Sequence, residues 1–209
     1  ATSVSASGTQ IGQCLSSDAN GNIYFGGNSE NNGAFTWGGF THTGGSTLDG
    51  FVGKIDGQGN PLALISMTGG GWDTFDFMEA TPTGGVFVTG FVTSTTTTLG
   101  GNAYPTNGNG KHIIKLDNNL NVAWTAFFNS NGNVWDLAVD SLGNSYFAES
   151  SAGGQTFGTV TSPPSLGGGE ITVGKLDPNG NFLWVNVFGT TGQDSGQAVA
   201  VDQSGNVVV

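Results

Sequence analysis

The sequence predicts an all-β fold made of repeated four-stranded antiparallel units, and three observations carry that prediction. A lysine phrase recurs as 54-KIDGQGNPLA-63, 115-KLDNNLNVAW-124 and 175-KLDPNGNFLW-184, at spacings of 61 and 60 residues. A second phrase recurs as 17-SDANGNIYF-25, 80-ATPTGGVFV-88, 139-VDSLGNSYF-147 and 201-VDQSGNVVV-209, with its central glycines 63, 59 and 62 residues apart. Two phrases sharing one period mark tandem structural units. Thirdly, no segment sustains a helical period, whereas both phrases set turn residues between apolar runs.

Taken in order, each phrase reads as a β-hairpin. In the second phrase an apolar run meets Asp-x-x-Gly-Asn and continues as Val, Ile, Tyr or Phe. Aspartate bonds nearby backbone N–H groups, and glycine supplies positive φ. This hairpin gives strands A and B. The lysine phrase gives strands C and D, between Phe51–Ile55 and Leu62–Ile65 and between Ile171–Leu176 and Phe182–Phe188. The units span 9–67, 68–128 and 129–188, with a partial fourth at 189–209. Two turns depart from the pattern: 81-TPTGG-85 lacks the aspartate and 117-DNNLN-121 lacks the glycine. Pro82-Thr83-Gly84 and Asn118-Asn119 are turn formers in their place. The lysines recur because the unit recurs. Lys and Asp two apart on a strand share a face, and the expected part of the lysines is a repeated surface or inter-unit contact.

A repeated four-stranded meander is the blade of a β-propeller. About three and a half blades are present, an incomplete ring, so the chain is expected to continue beyond residue 209 or to be completed by another chain. The A–B and C–D turns are short. The B–C connections 28–50, 91–111 and 149–170 are long and divergent, and the D–A connections 68–74, 129–134 and 189–196 are intermediate. The long connections are expected together on one face, and variable loops are where function concentrates. The phrases Ala-Val-Asp-x-x-Gly-Asn-x-Tyr and Lys-Leu-Asp-x-x-Gly-Asn-x-x-Trp resemble the SBBP repeat of secreted and surface propeller proteins. Trp37-Gly38, Leu99-Gly100 and Phe157-Gly158 stand 17, 16 and 18 residues before the repeat lysines and fit the same resemblance. It implies a propeller and an extracellular or cell-surface location, and it implies no catalytic activity.

Charge narrows the partners. Four Lys+Arg against fifteen Asp+Glu give a net charge of −11, so there is no basic patch for nucleic acid or an anionic membrane. No run of 18 apolar residues is present to insert into a bilayer. The single Cys14 makes neither a disulfide framework nor a metal cluster. Asp18-Ala-Asn20-Gly-Asn22 and Asp177-Pro-Asn179-Gly-Asn181 resemble the start of a calcium loop, but Ser29 and Phe188 stand where its twelfth-position glutamate belongs. They read as turns, and no cofactor or metal is expected.

The expected function is non-enzymatic binding of a protein or glycan through the long-loop face. Candidate ligand-face residues are Trp37, Phe40, Trp72 and Tyr104, whose rings can stack or anchor, with Asp73 and Asp194 beside them. Trp37 also has repeat equivalents in Leu99 and Phe157, which suits a residue that caps its own blade; Trp72 has none. Two alternatives stand beside this reading. One is an extracellular glycan-active hydrolase or lyase using carboxylates such as Asp73 and Asp194 across the channel. The other is a structural spacer or subunit of a larger surface assembly.

Overall fold

A computed structural model describes residues 5–106, 108, 110–130 and 132–209. Asn107, Asn109 and Asn131, within connections assigned above as loops, lie outside the described residues, as does 1–4. The described residues form antiparallel β-sheets without a helix. No helix is long and apolar enough to cross a membrane.

The first unit is β1 (Ser5–Ser17), β2 (Ile23–Trp37), β4 (Asp49–Ile55) and β5 (Pro61–Gly69), hydrogen-bonded in that order. The second is β6 (Phe77–Ala80), β7 (Val86–Val92), β10 (Gly110–Leu116) and β11 (Val122–Phe128). The third is β12 (Asn133–Val139), β13 (Ser145–Ser151), β16 (Glu170–Leu176) and β17 (Phe182–Phe188). A last hairpin pairs β18 (Ala200–Val201) with β19 (Val207–Val208).

Six of the turns share one hydrogen-bond pattern. At Asp140, one carboxylate oxygen accepts the N–H groups of Leu142 and Asn144 (3.0 and 2.9 Å) and the other accepts the Asn144 amide (2.7 Å). Asp18, Asp56, Asp117, Asp177 and Asp202 do the same with their own turns. The donor set is one that gathers around an anion. The asparagine side-chain amides, opposed by little burial, hold Asp56, Asp177 and Asp202 below the ordinary carboxylate value. In 117-DNNLN-121 the missing glycine is replaced by Leu120, which itself takes φ 61° where Gly59 and Gly180 take 84° and 85°. Its side chain is buried against the first unit.

The core lies between the sheets. Period-2 alternation turns consecutive residues of each second strand to opposite sides. Tyr24 packs with Val86 and Leu116 of the second unit, and Phe87 packs with Leu137 and Leu176 of the third. Tyr146 packs with Val199, just ahead of the last hairpin. The lysines lie over these same rings: Lys54 over Tyr24 (5.1 Å), Lys115 over Phe87 (5.3 Å) and Lys175 over Tyr146 (4.9 Å). Lys54 also donates to the Asn118 side-chain and backbone oxygens (2.6 and 2.9 Å), tying the first unit to the second. Cys14 is half-buried, and burial, with the Asp76 charge, pushes its thiol up to about 12.

The long connections have strands of their own. Each carries a hairpin: the end of β2 with β3 (Phe40–Thr43), β8 (Thr96–Leu99) with β9 (Asn102–Pro105), and β14 (Thr156–Phe157) with β15 (Val160–Thr161). These hairpins fold back along the outer strands. The tip glycines Gly38, Gly100 and Gly158 sit against Pro61, Ile65 and Phe182. β8 pairs with β5, so the first unit's outer edge is covered by a hairpin of the second, which removes an open pairing edge. Buried His42, on β3, fixes its hairpin by bonds to Ser29 (2.6 Å) and Ser66 (2.8 Å); burial pulls its pKa down to about 4.

Candidate functional site

The connection from β5 to β6 carries Trp72. Gly69-Gly70-Gly71 lets the chain pass close to residues 93–94: a Cβ on Gly71 would meet the Thr93 side chain and backbone. The Gly71 N–H donates to Ser94 Oγ (2.8 Å) and the Trp72 N–H to Thr93 Oγ1 (2.6 Å), while Thr93 N–H donates to the Trp72 carbonyl (2.7 Å). Pinned on both sides, the backbone leaves the indole outside, 55% exposed, with its inner side near the Phe91 ring (6.1 Å). Beside it is a groove of about 340 Å³ lined by Glu30, Asn31, Ser46, Thr47 and Leu48. Thr47 Oγ1 donates to the Gly71 carbonyl (2.7 Å), fixing the groove wall to the tryptophan loop.

Two enclosed carboxylates brace these loops. Asp73 is wholly buried; its N–H donates to the Leu48 carbonyl (2.8 Å) and one oxygen accepts the Ser94 hydroxyl (2.5 Å). Its other oxygen has no hydrogen-bond partner. Burial pushes Asp73 up to about 6; the Ser94 bond and the nearby Thr97 hydroxyl, too far or too poorly aligned for a full hydrogen bond, oppose the shift and the Asp49 carboxylate adds to it. Asp49, also buried, accepts the N–H groups of Gly45 and Gly69, and burial raises its pKa as well. The arrangement is a rigid shelf: an aromatic face in solvent, polar groups at its side and a buried polar brace beneath.

The other sequence-predicted residues lie elsewhere. Trp37 is 6% exposed and packed edge-on to Phe25 (5.2 Å). Its hairpin folds down onto its own unit, and its indole is needed there to cover Phe25. Phe40 is half-buried on the same hairpin beside Trp37 (6.3 Å), and Tyr104 is half-buried near Phe127 (6.4 Å). Asp194 is bound into its own loop, accepting the Thr190 N–H (2.6 Å) and hydroxyl (3.0 Å). Asp73 and Asp194 stand at corresponding positions of their connections: each donates its N–H to the residue before an acid that opens a third strand, Leu48 before Asp49 and Gly169 before Glu170. The charge that acts on Asp73 is Asp49. Among the described residues, no three His, Cys, Asp or Glu side chains converge as a metal ion would need.

No family model and no curated protein matches the chain. Among solved structures, it is similar to a protein of unknown function from Bacteroides caccae, whose crystal structure was determined at 1.35 Å. The identity is 9%, the match covers 92% of this chain and 86% of the other, and the TM-score is 0.30.

The groove residues Glu30, Ser46 and Thr47 were not foreseen from sequence. They lie inside a connection read as one loop, and only the hairpin at 34–43 brings its two ends together beside Trp72. The signal was the Gly38-Gly39 pair, with φ 57° and 87°, a two-residue hairpin turn.

Proposed function

We propose that the chain is a non-enzymatic, exported β-propeller module that binds carbohydrate through the Trp72 shelf. The observation that carries the reading is an indole held out in solvent by three backbone bonds, next to a carboxylate, an amide and two hydroxyls. A sugar ring offers a C–H face to stack on the indole and hydroxyls for Glu30, Asn31, Ser46 and Thr47. The propeller part is supported by the four-stranded meanders and by the position of the core between successive sheets. An extracellular location is supported by the few cations and the Gly-, Thr- and Asn-rich composition.

Purified chain on a glycan array, alongside the Trp72→Ala variant, tests the reading. Binding by the parent and its loss in the variant, with melting unchanged, is expected. An array with no binder, or binding that survives Trp72→Ala, would overturn it.

A further inference from the structure

A second cleft borders the Phe91 ring and is not lined by Trp72. It has a volume of about 320 Å³ and sits where the first strands of all three units meet. Its lining contains Gln13, Asp76 and Trp135, and these three are repeat equivalents: each stands five residues before the first residue of its A–B turn, Asp18, Thr81 or Asp140.

A backbone irregularity delivers each of them. β1 shifts register between Gly12 and Cys14, leaving Gln13 as the extra residue of a bulge. β12 shifts between Val134 and Asp136, leaving Trp135. In the second unit the Asp76 N–H donates to the Thr89 carbonyl (2.8 Å) while Phe77 is the residue paired with Thr89. Bulges redirect side chains next to functional sites. The bulge recurs here, but its residue does not: an amide, a carboxylate and an indole occupy one repeat position.

Trp135 shows part of its ring to the cleft and keeps its indole N–H enclosed. Lys111, which is not one of the recurring lysines, lies over the Phe91 ring (5.0 Å) and donates to Asn133 Oδ1 (3.1 Å), leaving ammonium hydrogens for a guest. Asp76 and Glu149 act on Lys111 from the acidic side. The lining itself pairs one cation, Lys111, with one carboxylate, Asp76, a balance that favours neither a bare anion nor a second cation. Aromatic walls at Phe91 and Trp135, with donors and an acceptor at the edges, match a ring that is apolar on its faces and hydroxylated at its rim.

We propose that this cleft binds a single neutral, polyhydroxylated ring of monosaccharide size, with the Trp135 ring against its face, Lys111 donating to its oxygens and Asp76 accepting from a hydroxyl. The volume is at the low end for small-molecule sites, enough for one ring. The site shares no lining residue with the Trp72 groove and touches the Trp72 surroundings only through the Phe91 ring, so either can fail alone.

The test follows the indole N–H resonances of the 15N-labelled full chain, with Trp135 assigned through Trp135→Phe. The probes are the methyl glycosides of glucose, galactose, mannose and N-acetylglucosamine, with glucuronate and glucosamine as charged comparators. At least one neutral glycoside should shift the Trp135 resonance saturably, with a dissociation constant on the order of 1 mM. The charged sugars should bind at least tenfold more weakly. Lys111→Met, or Asp76→Asn if that variant does not fold, should weaken binding at least tenfold, and Trp72→Ala should leave the titration intact. A Trp135 resonance unmoved by every glycoside, a stronger response to a charged sugar, or a titration unchanged in the cleft variants would overturn the proposal. A shift that disappears only in Trp72→Ala would assign it to the other shelf and overturn it too.

Discussion

Replacing Asp73 by asparagine should stabilise the protein at neutral pH. The carboxylate is wholly buried, one of its oxygens has no partner, and its pKa stands at about 6 against an ordinary 3.8. A shift of roughly two units corresponds to at most about 3 kcal/mol, at about 1.4 kcal/mol per unit. Nearby solvent at the loop surface screens part of this, so about 1–2 kcal/mol is the expected effect. The sign follows from linkage: the folded state holds the Asp73 proton more tightly than the unfolded chain. The group therefore adds no penalty below about pH 3.8, and the penalty grows as pH rises to about 6 and is complete above it. Asparagine is the same shape, keeps an acceptor for Ser94 and carries no charge beside Asp49. Urea unfolding of both proteins between pH 4 and 8 should show Asp73→Asn more stable by about 1–2 kcal/mol at pH 7.5, the gap closing towards pH 4. A variant less stable at pH 7.5, or a gap that does not change with pH, would refute the reasoning.

Asp140→Ala should lower stability by roughly 2 kcal/mol, because it removes the acceptor for three turn N–H groups and for the Tyr146 hydroxyl (3.0 Å). Burial opposes it, but the Asn144 donors hold Asp140 below its ordinary 3.8, so in urea melts the gap between parent and variant should narrow as pH falls below that value. Leu120→Gly should be more stable than Leu120→Ala by about 1 kcal/mol, since both lose the buried side chain but only glycine relieves φ 61°; the reverse order in denaturant melts would show that the turn is unstrained. The first unit leaves an apolar groove of about 610 Å³ lined by Phe25, Phe35, Trp37, Phe51 and the 69%-exposed Leu15. Nile red should brighten on the folded chain and do so less on Leu15→Glu; equal brightening would place the dye elsewhere, for instance at exposed Phe188.

What could be read from the sequence was whatever the local chain determines. The six aspartate turns close on their own N–H groups within five residues, so sequence alone specifies them. The same holds for the strand pairs they join. The hairpins at 34–43, 96–105 and 156–161 were missed because their flanks are rich in threonine and other polar residues, a pattern that reads as loop although such residues pair well across strands. The burial of Trp37 depends on Phe25, and that of Asp73 on Leu48 and Ser94; no local pattern announces partners that distant. Trp72 was legible as unusual because the other units have no counterpart to it. The convergence of Gln13, Asp76 and Trp135 was also within reach of the repeat register, but only once a bulge was known to turn that position inward.

Comparison between the units separates residues that serve the turn from residues that serve its neighbour. Tyr24 and Tyr146 follow turns that begin with aspartate, and their hydroxyls reach Asp18 (3.3 Å) and Asp140 (3.0 Å). In the second unit the turn begins with Thr81 and the same ring position is Phe87, fully buried under Lys115. Asp202 has Val208 at that position and still closes its turn, so the aspartate does not require the tyrosine. The tyrosine, once buried, does require an acceptor. Phe87→Tyr alone should therefore destabilise by about 1–3 kcal/mol, the penalty for enclosing a hydroxyl without a partner. Thr81→Asp supplies the missing acceptor, although Gly85 N–H already donates to Tyr24 (2.9 Å) and is not free to bond it. In a double-mutant cycle read by urea melts, the pair should show a favourable coupling of about 1 kcal/mol or more. Additivity within about 0.3 kcal/mol would mean that the two positions vary independently, and that the Tyr–Asp contact in the other units is incidental.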